Sequence, residues 1–270
     1  MGLRTRFFFG TNRCLIRNSH ASNERNKRSC EPAENPPLSY HGRMNDPSNP
    51  FSSAQAVARY AENPPRVVPG FADLQRMATL LLEEHAHEEA SILVLGAGGG
   101  LELKAFAQAH PKWRFEGVDP SAEMLTLAEQ TLGPLSERVK LQQGYIDSAS
   151  EEPFDGAACL LTLHFIGADE RRRTIAEVRR RLKPGAPFVV AHLSFPQAAG
   201  ERALWLSRYA AFAAASGIDL EKAKGASAAI DKHLNIFTPE QDEGMLRDAG
   251  FSGVSQFYAG FAFRGWVAYA

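Results

Sequence analysis

The 270-residue sequence has few cysteines and no long hydrophobic run. Cys14, Cys30 and Cys159 show neither metal-ligand nor disulfide spacing, which suits a reducing compartment. No stretch approaches the roughly 18 consecutive apolar residues of a membrane-spanning helix. The formal net charge is only -1, so no general attraction to nucleic acid or a membrane surface is expected. We therefore expect a cytoplasmic protein that does not enter a membrane. Nothing in these features predicts its oligomeric state.

The start of the chain differs from the rest, because its first acidic residue is Glu24 while eight lysines and arginines lie within residues 1–43. An arginine-rich, acid-poor start is typical of an organelle transit peptide. The alternative is a disordered tail or upstream sequence misread as coding, with Met44 as the true start. Prolines between positions 36 and 50 interrupt any long amphipathic helix and favour this alternative. We assign residues 1–50 to the tail and residues 51–270 to one domain.

Strand and helix patterns alternate five times in the middle of the chain. This alternation predicts an α/β fold with a doubly wound, Rossmann-like and mostly parallel sheet. The predicted strands are Ile92–Leu95, Trp113–Val118, Val139–Gln142, Phe154–Leu161 and Pro187–Leu193, and the predicted helices are Phe71–Glu84, Leu101–Ala109, Ala122–Leu132 and Asp169–Leu182, the last capped by Asp169.

The pattern changes after Phe195. An alanine-rich helix is expected over Ala198–Ser216, followed by an irregular segment over residues 217–237, and Thr238-Pro239 opens a further helix. The whole segment 196–237 is expected to act as a helical cover over a pocket. Two β-rich runs close the chain and predict a hairpin joined near Gly260: Val254–Tyr258 and Phe261–Tyr269.

The stretch "SILVLGAGGGLE", residues 91–102, runs from an apolar strand into a glycine cluster and then a helix. Glycines permit a tight turn and the close approach of a ligand to the backbone. A dinucleotide fingerprint would have its third glycine where Leu101 stands. A phosphate-binding Walker motif is missing too, because Lys104 is not followed by Ser or Thr in the required register. The cluster alone is also compatible with a plain tight turn.

Asp119 ends the second predicted strand. A carboxylate there can accept hydrogen bonds from both hydroxyls of an adenosine ribose. The alternative is a cap for the helix that starts near Ser121. Because nucleotide and adenosyl cofactors both use such an acid, Asp119 alone does not choose between them.

Five stretches in order resemble class I S-adenosyl-L-methionine-dependent methyltransferases: "VLGAGGG", "GVDPSAEML", "GYIDS", "LLTLHF" and "LKPGAPFVVA". The resemblance covers residues 71–269 and implies a seven-stranded sheet with an antiparallel terminal strand. It also implies S-adenosyl-L-methionine as cofactor. Within the family the chain is most similar to the carboxy-S-adenosylmethionine synthase subgroup, through "VPGF", "TLHF" and "FYAGFAFRGWVAYA".

The resemblance also implies the cofactor contacts. Those matching the methionine-binding loop are Gly96, Ala97 and Gly98; Asp119 matches the ribose acid, Pro120 lies beside the adenine, Tyr145 and Ile146 flank the adenine, and Phe71 and Leu160 complete the set.

Several positions depart from the resembled pattern. The family commonly has Asp where Tyr145 stands, so adenine N6 loses a side-chain acceptor unless Asp147 reaches it. The synthase subgroup has Tyr and Asn where Phe71 and Leu160 stand, and it moves a carboxylate from prephenate onto the cofactor's methyl group. No arginine between Arg208 and Arg247 matches the one that grips this carboxylate.

Methyl transfer needs a base only if the acceptor must lose a proton first. His164, just after the fourth predicted strand, is the candidate general base, and its alternative role is packing in the core. Tyr209 and His233 of the cover are further candidates for lining the acceptor pocket. His85 and His87 are read as solvated helix-end residues rather than as metal ligands, since no further ligands complete a site.

The arginine runs 171–173 and 179–181 raise the possibility of RNA binding. Most of them are expected to face solvent on a helix whose apolar stripe points inward. We therefore predict a methyltransferase that acts on a small-molecule acceptor. The alternatives are a carboxy-S-adenosylmethionine synthase-like enzyme of tRNA wobble-uridine modification, a non-catalytic adenosylmethionine-binding module, and a nicotinamide dehydrogenase.

Overall fold

The alternating patterns fold into one seven-stranded sheet. The structure is a computed structural model that describes residues 62–270. The predictions for the tail, Cys14 and Cys30 lie outside those residues. The strands are β1 (Ser91–Leu95), β2 (Arg114–Asp119), β3 (Val139–Gln143), β4 (Gly156–Leu160), β5 (Pro187–Leu193), β6 (Ser252–Gly260) and β7 (Phe263–Tyr269).

The strand order is β3-β2-β1-β4-β5-β7-β6. Neighbours among β1 to β5 pair in parallel, whereas β7 runs antiparallel to both β5 and β6. The predicted mostly parallel sheet with an antiparallel terminal strand is therefore confirmed.

Helices cover both faces of the sheet, as continuous apolar strands require. One buried cluster contains residues of α2, α3 and α4, such as Leu74, Phe106 and Leu125. The other contains residues of α5 and α8, such as Val178 and Leu246. The helices are α1 (Pro64–Val67), α2 (Phe71–Glu83), α3 (Leu101–Ala109), α4 (Ala122–Leu132), α5 (Ala168–Arg180), α6 (Glu201–Ala215), α7 (Leu220–His233) and α8 (Pro239–Asp248).

The prediction that residues 217–237 are irregular was wrong, because α7 occupies most of that segment. The carboxylate of Asp219 caps the helix by accepting a hydrogen bond from the backbone N–H of Lys222. Ala223 is the buried residue of α7, and it clusters with Ala210 and Ala213 of α6. A helix that packs through alanines lacks the spaced large apolar residues by which helices are recognised in a sequence.

The prediction that Asp169 caps α5 was also wrong. The N-cap residue is Gly167, and Asp169 lies in the first turn with its side chain exposed. An acid in this position still interacts favourably with the positive end of the helix dipole. Thr238-Pro239 does open α8 as predicted, and Thr238 caps the helix in a capping box with Gln241.

The cover segment 196–237 leaves and rejoins the domain at the carboxyl ends of the parallel strands. The N–H of Phe195, just after β5, donates to the carbonyl of Phe237 at 3.2 Å. The N–H of Asn235 donates to the carbonyl of His164, in the turn after β4, at 2.9 Å. Both ends of the cover are thus tied to the edge where β4 and β5 end.

Candidate cofactor site

The loops after β1, β2 and β4 meet at one edge of the sheet. The chain leaves β1 toward β2 on one side, while β4 lies on the other side of β1. Open α/β sheets bind ligands in the crevice at such a switch of direction. The glycine cluster, Asp119 and Leu160 all lie at this edge, as their positions at strand ends predicted.

The glycine loop is bonded to the neighbouring strand. The backbone N–H groups of Gly96 and Ala97 both donate to the carbonyl of Val118, at 2.8 and 3.0 Å. Gly96 has a φ of 72°, and a Cβ there would lie 2.1 Å from Oγ1 of Thr162. The turn after β4 therefore approaches the loop so closely that only glycine fits.

Asp119 joins the glycine loop to the loop after β2. Its Oδ2 accepts a hydrogen bond from the N–H of Gly98 and its Oδ1 accepts one from the N–H of Ser121, both at 2.9 Å. Burial raises the pKa of Asp119, and these two bonds act in the opposite direction. The cap of α4 is Ser121, whose hydroxyl accepts from the N–H of Met124, so Asp119 is not the helix cap. Each carboxylate oxygen keeps lone-pair capacity for a further hydroxyl.

The segment after β3 lies beside Asp119. The N–H of Gly144 donates to the carbonyl of Asp119 at 3.0 Å, and Ile146 is buried while Tyr145 is 40% exposed. Nε2 of Gln143 donates to the carbonyl of Pro120. Tyr145 and Ile146, which are expected to flank an adenine, therefore belong to a segment that lies next to Asp119 at this edge of the sheet.

Asp147 is held by another partner. Arg173 binds both of its carboxylate oxygens, at 2.9 and 2.8 Å. This bond with Arg173 lowers the pKa of Asp147. A side chain engaged in this two-pronged pair would have to leave Arg173 before it could reach an adenine.

Phe71 and Leu160 are both buried and belong to the same apolar cluster, which also contains Tyr209 of the cover. Leu161 follows with a φ of 60°, and its N–H donates to the carbonyl of Ala191 at 2.6 Å. A leucine in the left-handed region is strained, and such residues cluster at functional sites. Nothing in the sequence signalled this strain, because leucine ordinarily avoids that conformation.

His164 lies in the short 3-10 turn Leu163–Phe165 and is 5% exposed. Its Nδ1 accepts a hydrogen bond from the N–H of Leu193 at 3.3 Å. Burial, together with the nearby His192 and Arg171, holds the pKa of His164 well below its usual range. These contacts favour a packing role, and the role of general base stays a prediction.

Two arginines of the runs 171–173 and 179–181 are buried, although the runs were expected to form a solvent-facing surface. Arg171 is fully buried and bonds to Asp242 at 2.7 Å, and Arg181 is 1% exposed and pairs with Glu177 and Glu151. Arg171 also donates to the carbonyls of Leu163 and Asn235. It therefore holds the turn after β4 against the end of the cover.

Sequence reasoning missed Glu102, the second residue of α3. Its side chain is 3% exposed, and its Oε2 has no hydrogen-bond partner among residues 62–270. Burial raises its pKa to about 7, and the charge of Asp119 adds to the effect. No pattern in the sequence signalled it, because acids are favoured in the first turn of a helix and the burial of Glu102 depends on packing.

These features fit the groups of adenosylmethionine. Asp119 can bind a diol, and Oε2 of Glu102 is a buried acceptor with no hydrogen-bond donor among residues 62–270. Within the described residues, no group of three or more His, Cys, Asp and Glu side chains is arranged to hold a metal. Across residues 62–270, no helix is both long and apolar enough to cross a membrane.

Comparisons with known proteins agree with this arrangement. A family model described as a methyltransferase domain matches residues 92–185. The carboxy-S-adenosyl-L-methionine synthase of Chromohalobacter salexigens is 27% identical over 219 residues, which are 80% of this chain and 81% of that protein.

Solved structures share the fold. An O-methyltransferase family protein from Burkholderia thailandensis superposes with a TM-score of 0.56 at 17% identity, over 81% of this chain and 61% of its own. The cyclase SpnF superposes with a TM-score of 0.51 at 21% identity, over 69% of this chain and 59% of its own. The chain thus spans about 60% of the length of these two solved structures.

The domain match covers the glycine loop, Asp119 and β4. The chain therefore contains a methyltransferase domain and shares its fold with the solved O-methyltransferase family protein.

Proposed function

We propose that this protein transfers the methyl group of S-adenosyl-L-methionine to a small-molecule acceptor in the cytoplasm. The observation that carries the proposal is the bond between Asp119 and the N–H of Gly98, which sets the ribose acid against the glycine loop. When the ribose of a ligand binds Asp119, the chemical group attached to that ribose therefore lies beside the glycine loop.

The proposed contacts follow the chain order of the loops. The methionine part lies along the glycine loop, the ribose hydroxyls donate to Asp119, and the adenine lies against the segment after β3. The residues assigned to these contacts are Gly96, Ala97, Gly98, Asp119, Pro120, Tyr145 and Ile146, with Phe71 and Leu160 completing the pocket.

The bound cofactor supplies a methyl group on a positively charged sulfur, which is already activated for displacement. The protein's part is then to orient the acceptor in line with the methyl group and to exclude water. Orientation of this kind is worth about 7 kcal/mol or more. His164 is the proposed base where the acceptor must lose a proton.

A small acceptor is favoured by the cover, whose two ends are tied beside β4 and β5. Binding to a nucleic acid finds little support, because most of the arginines of α5 are neutralised. Arg173 and Arg180 pair with Asp147, Glu170, Glu151 and Glu177.

A second candidate function is synthesis of carboxy-adenosylmethionine, which the name of the Chromohalobacter salexigens relative supports. A buried carboxylate on the cofactor would need a cationic partner. The lysines of α7 at positions 222, 224 and 232 are exposed. Phe71 and Leu160 are apolar, whereas the resemblance implies Tyr and Asn at these positions in the synthase subgroup. These departures favour methyl transfer.

The experiment is a transfer assay with methyl-labelled adenosylmethionine and panels of amines, hydroxyl compounds, thiols and carbon acids, with tRNA as a separate panel. Label in at least one small molecule is the expected result. Label in tRNA alone would contradict a small acceptor. Cofactor binding without transfer to any panel would favour a non-catalytic binding module, and carboxy-adenosylmethionine formed from prephenate would favour the second candidate.

A further inference from the structure

Glu102 is a buried acid that the fold leaves unsatisfied. It lies two residues after Gly100, as the second residue of α3, and its side chain is 3% exposed. The carboxylate accepts a hydrogen bond from its own backbone N–H. Its Oε2 has no hydrogen-bond partner in the described chain. Buried acceptors of this kind are rare and call for an explanation.

The surroundings of Glu102 make its charge costly. The charged group that acts on it is Asp119 at the end of β2. The thiol of Cys159 in β4 is also nearby, but burial raises its pKa to about 12, so it stays neutral where Glu102 titrates. No lysine or arginine in residues 62–270 forms an ion pair with Glu102. Burial and Asp119 raise the pKa of Glu102 to about 7, so Glu102 holds its proton at mildly acid pH. The buried Oε2 of Glu102 therefore suits a ligand that brings a cation or a hydrogen-bond donor.

We propose that Glu102 is the partner of the α-ammonium group in the methionine part of adenosylmethionine. This inference rests on the proposed function. Glu102 lies two residues after Gly100, the last glycine of the loop, and Asp119, which the loop binds through Gly98, is the assigned ribose acid. In the cofactor, the methionine part is joined to the ribose. When the ribose binds Asp119, the methionine part therefore lies beside the glycine loop and Glu102.

The choice of the ammonium group follows from the missing hydrogen bond. Adenosylmethionine has two cationic centres, the ammonium nitrogen and the sulfonium sulfur. An ammonium group has three N–H donors and can satisfy Oε2, whereas a sulfonium has no donor. A hydrogen bond between two ionised groups is also the stronger kind.

The proposal predicts a pattern across three ligands. Adenosylmethionine and its demethylated product, adenosylhomocysteine, both carry the ammonium group. Methylthioadenosine carries the adenine, ribose and sulfur but no amino acid. We expect Glu102→Gln to weaken binding of the first two ligands by about ten- to a hundredfold, and binding of methylthioadenosine by less than about twofold.

The experiment is calorimetric titration of the full chain and of Glu102→Gln with these three ligands. Glu123→Gln is the matched control, because Glu123 lies in the first turn of the next helix and is exposed. Thermal unfolding of each variant checks that it is folded, and Glu102→Asp provides a second folded variant that keeps the charge. We expect Glu102→Asp to retain more affinity than Glu102→Gln.

Each outcome has one meaning. Loss of adenosylmethionine and adenosylhomocysteine binding together supports the ammonium assignment. Loss of adenosylmethionine binding alone would place Glu102 beside the sulfonium and overturn it. Equal binding of all three ligands by the variant and the wild type would overturn any role in cofactor binding. Failure of the wild type to bind any of them would instead count against the proposed function.

A pH series gives an independent readout. The wild-type affinity for adenosylhomocysteine should rise between pH 6 and 8, because Glu102 must lose its proton before it pairs with the ammonium group. This slope should disappear in Glu102→Gln. A slope of equal size in both proteins would overturn the proposal.

Discussion

Oδ2 of Asp119 lies 2.9 Å from the backbone nitrogen of Gly98, so the acid at the end of β2 and the loop after β1 form one unit. We expect Asp119→Ala to weaken adenosylmethionine binding by about ten- to a hundredfold, since hydrogen bonds to a charged acceptor are lost. Calorimetric titration measures this. Asp169→Ala, an exposed acid in the first turn of α5, is the control. An unchanged dissociation constant in a folded Asp119→Ala protein would mean that the acid only shapes the loop.

The close approach of Thr162 to Gly96 can be separated from backbone strain. Gly185 has a similar φ of 78°, but a Cβ there would meet nothing within 4 Å. Gly185→Ala should cost about 1 to 2 kcal/mol of unfolding free energy from the left-handed conformation alone. Gly96→Ala should cost about 1 to 3 kcal/mol more, because the new methyl group overlaps Thr162. Urea denaturation measures both, and equal losses would show that Thr162 moves aside at no cost.

Much of the fold was predictable, because Ile92, Val94 and their equivalents form the continuous apolar runs of covered parallel strands. The glycine cluster and Asp119 could be placed at one edge of the sheet from strand ends alone. The sequence did not predict the close contact of Thr162 with Gly96 or the strain at Leu161, because both depend on how separate loops pack. Helix α7 escaped prediction because it buries alanine rather than large apolar residues.

The buried pair of Arg171 and Asp242 was invisible in the sequence, because its members are 71 residues apart. Nε2 of His192 lies 3.2 Å from Oδ2 of Asp242 without the alignment of a hydrogen bond. Asp242→Ala should lower the unfolding free energy by about 3 to 5 kcal/mol, since Arg171 is left as a buried unpaired charge.

The matched control is an exposed ion pair, in which Nζ of Lys224 lies 2.9 Å from Oε1 of Glu221. Glu221→Ala should change stability by less than about 0.5 kcal/mol, as is usual for surface positions. Similar losses in the two variants, measured by denaturant unfolding, would contradict the account of the buried pair.

The pKa of Glu102 also predicts how stability depends on pH. This acid titrates near 4.5 when unfolded and near 7 when folded, so the folded protein holds its proton more tightly. Glu102 therefore lowers stability as pH rises from about 4.5 to 7, by about 3 kcal/mol in total. Glu102→Gln removes this effect. The difference in unfolding free energy between the ligand-free variant and the wild type should therefore shift in favour of the variant over this range and level off above pH 7. A difference that stays constant with pH, in denaturant titrations, would be the contrary result.

The central claim is that this edge of the sheet binds adenosylmethionine rather than a nicotinamide dinucleotide, and one calorimetric comparison tests it most directly. The full chain is titrated with adenosylmethionine, adenosylhomocysteine and NADH under the same conditions. The account predicts binding of adenosylmethionine and adenosylhomocysteine and no heat change with NADH. Binding of NADH with no response to either adenosyl ligand would contradict it.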